Sequence, residues 1–256
     1  MEANWINFID HGDQHYMCDL IICNVIFGYH EKELKVLLQR PSGSPNWTLP
    51  VGFMKRTETL EEAAASVVKR RTGLDKLFLS QFKLFNSCSQ YLDANINADS
   101  FYKTTGRQIP SDHWMFKPKI AVGFYTLIEF SKVTVHESGF FTDCRWWDID
   151  RLPSLLFDPG HVIDEARKSL CKHLYFYPIG YELLEEKFTY PEIHHLYERL
   201  LNRKLDERNF LKKLLSMNLI VKLKEQKKIG PHRSPYLYSF NREVYQKAIK
   251  EGVFLL

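Results

Sequence analysis

The sequence predicts an α+β protein in two parts, and three patterns carry that expectation. Apolar, β-rich runs bounded by turn residues fill the longer N-terminal part. One strongly periodic helix follows a short extended segment ending near Phe53. Toward the C-terminus, helical stretches lead into two short strands around a basic loop. The length of 256 residues accommodates two domains of ordinary size, since domains cluster near about 100 to 150 residues. An apolar fraction of 45% with 14% aromatic residues supplies packed cores and excludes extended disorder.

Asp19 to Gly28 reads as a mostly buried strand and Leu34 to Arg40 as its hairpin partner across the His30–Glu33 turn. Trp47 to Phe53 is a short extended piece. Leu60, Ala63, Ala64, Val67 and Val68 then recur at helical spacing, which makes Thr59 to Arg71 an amphipathic helix facing a core. Further strands are expected at Leu77 to Phe85, Ile120 to Glu129 and Cys144 to Ile149, and a helix at Asp158 to His173. Ser87 to Lys117 is an insertion rich in Asn, Asp, Ser and Thr, long for a compact domain. It reads as a surface loop, or else as a lid or dimer arm carrying Tyr91, Phe101, Tyr102 and Trp114. Trp146-Trp147 reads as core and edge packing.

Pro178 and Gly180 interrupt the helical pattern and place a domain junction there, dividing the chain into residues 1–177 and 178–256. Helices are expected at Gly180 to Glu186, Tyr190 to Leu201 and Asp206 to Met217. Strands follow at Leu219 to Leu223 and Tyr236 to Phe240. Three helices followed by a β-hairpin is the order of a winged helix-turn-helix.

The net charge of +4 is unevenly spread: Arg203 to Arg233 holds ten basic and three acidic residues. Such a concentration suits a polyanion. On the third helix Phe210, Leu211, Leu214 and Met217 share one face, and Arg208, Asn209, Lys212, Lys213 and Ser216 the other. Phosphates need cations, and base edges need forked or amide donors. Arg208 and Asn209 stand where a recognition helix reads bases, and Lys227, Lys228 and Arg233 supply a cationic wing. Arg208, Asn209, Lys212, Lys213, Lys227, Lys228 and Arg233 are the candidate contacts to a double-stranded DNA operator.

Five cysteines without a C-x-x-C pair suit a reducing cytoplasm and argue against zinc. No apolar run approaches the roughly 20 residues of a membrane span, and the N-terminus lacks signal-peptide character. A cytoplasmic protein without a membrane partner is expected. His194-His195 is read as surface or helix packing, for want of a carboxylate or cysteine partner at ligand spacing.

Gly52, Glu58, Val68, Gly73 and Leu74 fall in the register G-x5-E-x7-R-E-U-x-E-E-x-G-U, where U is aliphatic. This resembles a Nudix box. The catalytic part differs: Ser66-Val67-Val68-Lys69-Arg70-Arg71 stands where the box carries R-E-U-x-E-E. Glutamates on adjacent turns of one helix face hold Mg²⁺ through oxygen ligands, whereas Val67 cannot ligate and Arg70 and Arg71 repel a cation. Glu58, Glu61 and Glu62 invite a displaced metal site, but acidic residues in a first turn also favour the helix dipole.

Taken with the basic C-terminal helix, the chain resembles the Nudix-related transcriptional regulators of the NrtR-like family, especially the sugar-responsive, arabinose-regulator-type members of Bacteroidetes. Besides Trp47 to Phe53, the marks are Leu156-Phe157-Asp158-Pro159, Asp164-Glu165-Ala166-Arg167, Pro178-Ile179-Gly180-Tyr181 and Asp206-Glu207-Arg208-Asn209-Phe210 with the Gly230–Arg233 wing. The resemblance implies a Nudix-like α/β/α sandwich with a mixed sheet, followed by a C-terminal winged helix-turn-helix. It further implies a homodimer on a palindromic operator, a catalytically degenerate domain that binds a small-molecule effector, and no cofactor. Effectors in that family include ADP-ribose and the pentose L-arabinose. The chain departs from both branches across Ser87 to Lys117, where the family segment is shorter. Around the Nudix cleft Asp19, Arg40, Trp47 and Phe53 are the candidate effector contacts, because sugar pockets combine planar apolar faces with fixed polar groups. The alternative is a divergent hydrolase of ADP-ribose or another nucleoside diphosphate, using Glu58, Glu61 or Glu62 as metal ligands.

Overall fold

The computed structural model describes residues 2–75, 77–86, 98–136, 141–156, 159–178, 183–228 and 234–253. Two compact units are formed, one by Met1–Gly28, Lys35–Leu127 and Lys132–Ala166, the other by Tyr29–Leu34, Ile128–Ser131 and Arg167–Leu256. The second unit therefore takes in the tip of the first hairpin and begins earlier in the chain than the Pro178–Gly180 interruption.

The first unit contains α1 (Glu2–His15), β1 (Tyr16–His30), β2 (Glu33–Pro41), β3 (Val51–Lys55), α2 (Leu60–Thr72), β4 (Ser80–Asn86), α3 (Ala98–Thr105), β5 (Ile120–Glu129), β6 (Phe141–Asp148) and the start of α4 (Pro159–Leu174). The mixed sheet has the order β4-β5-β1-β2-β6, with β3 paired to β1. β1 is central, and its continuous run of buried residues from Ile21 to Tyr29 is what a strand covered on both faces requires. Ala63 and Ala64 of α2 pack on Ile22 of β1 and on Val122 and Phe124 of β5, so the small residues set a close helix–sheet approach. α4 meets β4 through the Lys83–Glu165 ion pair at 2.9 Å and the edge of Phe85 on His161.

α2 begins at a capping box. The Thr59 side chain accepts from the Glu62 N–H, and Glu62 accepts from the Thr59 N–H at 2.8 Å. It ends at Gly73 in the left-handed region (φ 70°), whose N–H returns to the Lys69 carbonyl. Gly52 is demanded by packing rather than by backbone angle: a Cβ there would stand 2.5 Å from Val67 Cγ2 and 2.8 Å from Arg70 Nη2.

The described part of the Ser87–Lys117 insertion is ordered structure packed on α1, not a bare surface loop. Phe101 and Trp114 are buried, and Phe101 and Ile109 form a core with Ile9. The Trp114 indole donates to the Ile9 carbonyl at 3.0 Å. Gly12 leaves room for that indole, since a Cβ would meet Trp114 Cζ2 at 2.4 Å. Tyr102 stays exposed, and Tyr91 lies outside the described residues.

The second unit contains β7 (Phe188–Thr189), α5 (Tyr190–Leu201), α6 (Glu207–Ser216), β8 (Ile220–Gln226), β9 (Tyr236–Phe240) and α7 (Arg242–Glu251), with sheet order β7-β9-β8. Of the helix expected at Gly180 to Glu186, residues 183–186 are described and contain no α-helix. The chain there turns and bends before Phe188 pairs with Tyr238 and seats its ring 4.7 Å from Phe240. α7, absent from the sequence reading, follows the hairpin; its Tyr245 edges onto Phe240 at 5.3 Å. Tyr197 of α5 packs on Phe210 of α6 at 5.0 Å. No helix among the described residues is long and apolar enough to cross a membrane.

Candidate functional site

The exposed face of α6 is set by its cap and by its two buried anchors. Asp206 occupies the N-cap position and accepts from the Asn209 N–H at 2.8 Å. Phe210 and Leu214 are 5% and 1% exposed, and that register turns Arg208, Asn209 and Lys212 into solvent, with Lys213 half-buried. The helix thus presents cations and an amide from its N-terminal turns, as the sequence pattern predicts. Of the wing residues, Lys227 at the end of β8 pairs with Glu192 at 2.6 Å. Its charge is therefore shared with the first turn of α5, a partner the linear sequence did not suggest. Lys228 is exposed, and Arg233 lies outside the described residues. β8 adds a further cation beside an aromatic ring, with Lys222 Nζ 3.6 Å from the Tyr236 centroid.

The four candidate effector residues fall into two clusters with different neighbours. Arg40 pairs with Asp143 at 3.0 Å and lies over the Trp47 ring at 5.3 Å; Trp47 is 6% exposed and meets Trp147 edge-on. Arg145 closes this group by bonding Asp143 at 2.8 Å. Phe53 belongs elsewhere, among Phe8, Tyr16 and Trp114, with the buried Lys119 ammonium 5.5 Å from its ring. Lys119 donates to the Trp114 and Lys117 carbonyls. Burial lowers its pKa, while the Asp19 carboxylate nearby acts in the opposite sense. Asp19 itself is exposed on β1.

Beside the second cluster lies a cleft of about 300 Å³ between α1 and the box turn, lined by Phe8, Gln14, His15, Tyr16, Lys55 and Arg56 among others. Sequence reading missed it because α1 went unrecognised. The usable signal was the basic pair Lys55-Arg56 two residues after Phe53.

The box itself is built for packing. Val67 is 2% exposed against Gly52, and Arg71 is 5% exposed with its guanidinium 5.0 Å over Phe141. Burial holds Arg71 below its ordinary pKa. Glu58 accepts from the Lys55 N–H at 2.6 Å and Glu62 caps α2, so both carboxylates serve the local backbone.

These two units define a protein with a Nudix-like mixed-sheet α+β domain followed by a C-terminal winged helix domain. Residues 180–240 match the family model of the NrtR DNA-binding winged helix domain. The chain is 22% identical, over 86% of its length and 81% of the relative's, to the ADPR responsive transcriptional repressor NtrR of Acinetobacter baylyi. Among solved structures it resembles Shewanella oneidensis NrtR complexed with a 27mer DNA, at TM-score 0.61 and 22% identity, covering 89% of this chain and 95% of that one. It likewise resembles a MutT/nudix family protein of Enterococcus faecalis, at TM-score 0.59 and 17% identity over 94% and 99% of the two chains.

Proposed function

We propose that this chain is a cytoplasmic, homodimeric transcriptional regulator of the NrtR kind, whose winged helix binds an operator and whose Nudix-like domain senses a small molecule. The observation that carries the reading is the α6 face. Arg208, Asn209 and Lys212 are exposed on a capped helix inside a segment that matches a DNA-binding winged helix. Fluorescence anisotropy against duplexes from the chain's own upstream region tests it. Arg208→Ala should weaken binding by about 1–3 kcal/mol and relax sequence preference, whereas Lys212→Ala should weaken all duplexes alike and flatten the salt dependence. Sequence-independent binding, or wild-type affinity in Arg208→Ala, would sink the assignment.

Lys55, Arg56 and His15 on the cleft beside the box turn favour a phosphate-bearing effector over a bare pentose. ADP-ribose fits that chemistry, and the Acinetobacter repressor is named for its response to it. Phe53 supports the cleft wall through Phe8 and Tyr16, with Asp19 on the same strand as Tyr16, whereas Arg40 and Trp47 serve the other cluster. A ligand that binds only the folded state raises the melting temperature. ADP-ribose should do so, L-arabinose should not, and Arg56→Ala should remove the rise. A shift with arabinose alone would reverse the choice.

The same reading makes the domain a sensor without hydrolase activity. Its support is that the positions of the metal-holding glutamates carry Val67, Arg70 and Arg71, and that Glu58 and Glu62 are committed to backbone N–H groups. Mg²⁺-dependent cleavage of ADP-ribose, abolished by Glu62→Gln, would overturn it.

A further inference from the structure

We propose that the winged helix domain carries a site for a divalent transition metal, formed by His194, His195 and Glu198 on α5. The three side chains present one ligand atom each, all within 4.8 Å of one another. His194 Nδ1 and His195 Nδ1 stand 3.8 Å and 3.7 Å from the same carboxylate oxygen, Glu198 Oε2. Positions three and four apart lie on one face, which sets Glu198 beside each of the two histidines. The sequence reading dismissed the histidine pair for want of a carboxylate at ligand spacing, yet Glu198 is that carboxylate, one turn on.

Tetrahedral zinc with ligands at about 2.0–2.1 Å sets its donor atoms roughly 3.3–3.4 Å apart. The two His–Glu198 distances reach that spacing by contracting a few tenths of an ångström, and the two histidine nitrogens, within 4.8 Å of each other, close by a rotation of the exposed His195 ring. Two imidazoles and one carboxylate suit Zn²⁺, Co²⁺ or Ni²⁺ and do not suit Mg²⁺ or Ca²⁺, which take oxygen ligands. With three protein ligands, the remaining position is left to water.

The surroundings prepare the ligands. His194 is 5% exposed, and its Nε2 lies 3.1 Å from the Leu205 carbonyl, the bond that fixes a metal-binding imidazole with its other nitrogen free to ligate. Glu198 Oε1 accepts from the Leu205 N–H at 3.0 Å, which orients Oε2 toward the histidines. Lys204 Nζ now holds that oxygen at 3.2 Å, but its side chain is 91% exposed and can swing into water at little cost. Lysine and metal therefore compete for one oxygen. Because His194 and Glu198 both grip the backbone of Leu205, one residue before the Asp206 cap, a bound ion would brace the turn that leads into α6. The site needs no DNA to form, so its test is independent of the operator reading.

The full-length chain is titrated with Co²⁺ and Zn²⁺, following Co²⁺ visible absorption and competition with a chromophoric chelator. His195, with a side chain 40% exposed, is removed as His195→Ala, since that change leaves the core intact. Wild type should bind one ion that His195→Ala loses, with affinity falling at least about tenfold. Lys204→Ala should bind more tightly than wild type, because it frees Glu198 Oε2 and removes a charge that repels the ion. Circular dichroism confirms that each variant is folded. A stoichiometry and affinity unchanged by His195→Ala, or Lys204→Ala binding no tighter than wild type, would overturn the site.

Discussion

Gly52 is the residue at which the altered box reads most plainly as a packing device. Its α-carbon faces Val67 and Arg70, the side chains that stand where the box carries metal-holding glutamates, with no space for a methyl group. Gly52→Ala should therefore cost about 1–3 kcal/mol, the usual penalty of overpacking, read as a lower denaturation midpoint. Adding Val67→Ala should recover part of the loss by clearing the nearer contact; a double variant less stable than the sum of the singles would refute that explanation. Glu192 offers a test by pH. Burial pushes its carboxyl up, but hydrogen bonds from Lys227 and from the Thr189 backbone and hydroxyl outweigh this and hold it below the ordinary value. A folded-state pKa below the unfolded one gives stability that is present at neutral pH and lost as pH falls through the folded value. The stability gap between wild type and Glu192→Gln should accordingly close on acidification, in denaturant melts from about pH 7 down to about pH 3. A gap that widens would mean the ion pair is not its source.

At the scale of elements, α6 depends on its first turn. Asp206 satisfies the Asn209 N–H, and Asp206→Ala should destabilise the winged helix unit by about 1 kcal/mol while lowering operator affinity, because the frayed turn carries Arg208. Denaturant melts and anisotropy on one preparation check both; loss of stability with operator affinity intact would separate the cap from the binding face. The elements legible in the sequence are those with a strong period or an apolar run: β1, β2, β4, β5, β6, β8 and β9 with α2, α4, α5 and α6. Among those that escaped, three did so for plain physical reasons. α1 buries Ile9 through contacts with Phe101 and Ile109, which sequence places about a hundred residues away. β7 is two residues long and exists because β9 is there to pair with it. α7 is highly charged, and only Tyr245 and Ala248 along it are buried. The candidate sites divide the same way. The α6 face follows from helical period alone, whereas the effector cleft needs α1, and the Lys227–Glu192 pair needs the hairpin brought to α5.

For the whole molecule, the proposed regulation is a coupling free energy between an effector site and a DNA site, and such coupling is reciprocal. If ADP-ribose changes operator affinity by some factor, the operator must change ADP-ribose affinity by the same factor, typically 5–150-fold. The cycle is measured by titrating DNA into the chain with and without saturating ADP-ribose, then ADP-ribose into the chain with and without duplex. A two-fold symmetric regulator places its recognition helices about one DNA turn apart, so sedimentation should find two chains on each palindromic duplex. Arg56→Ala should remove the coupling while leaving the effector-free operator affinity unchanged, because Arg56 lines the cleft and Arg208 the α6 face. Equal operator affinities at all ADP-ribose concentrations, or one chain per duplex, would reduce the Nudix-like domain to a scaffold and leave α6 to act alone.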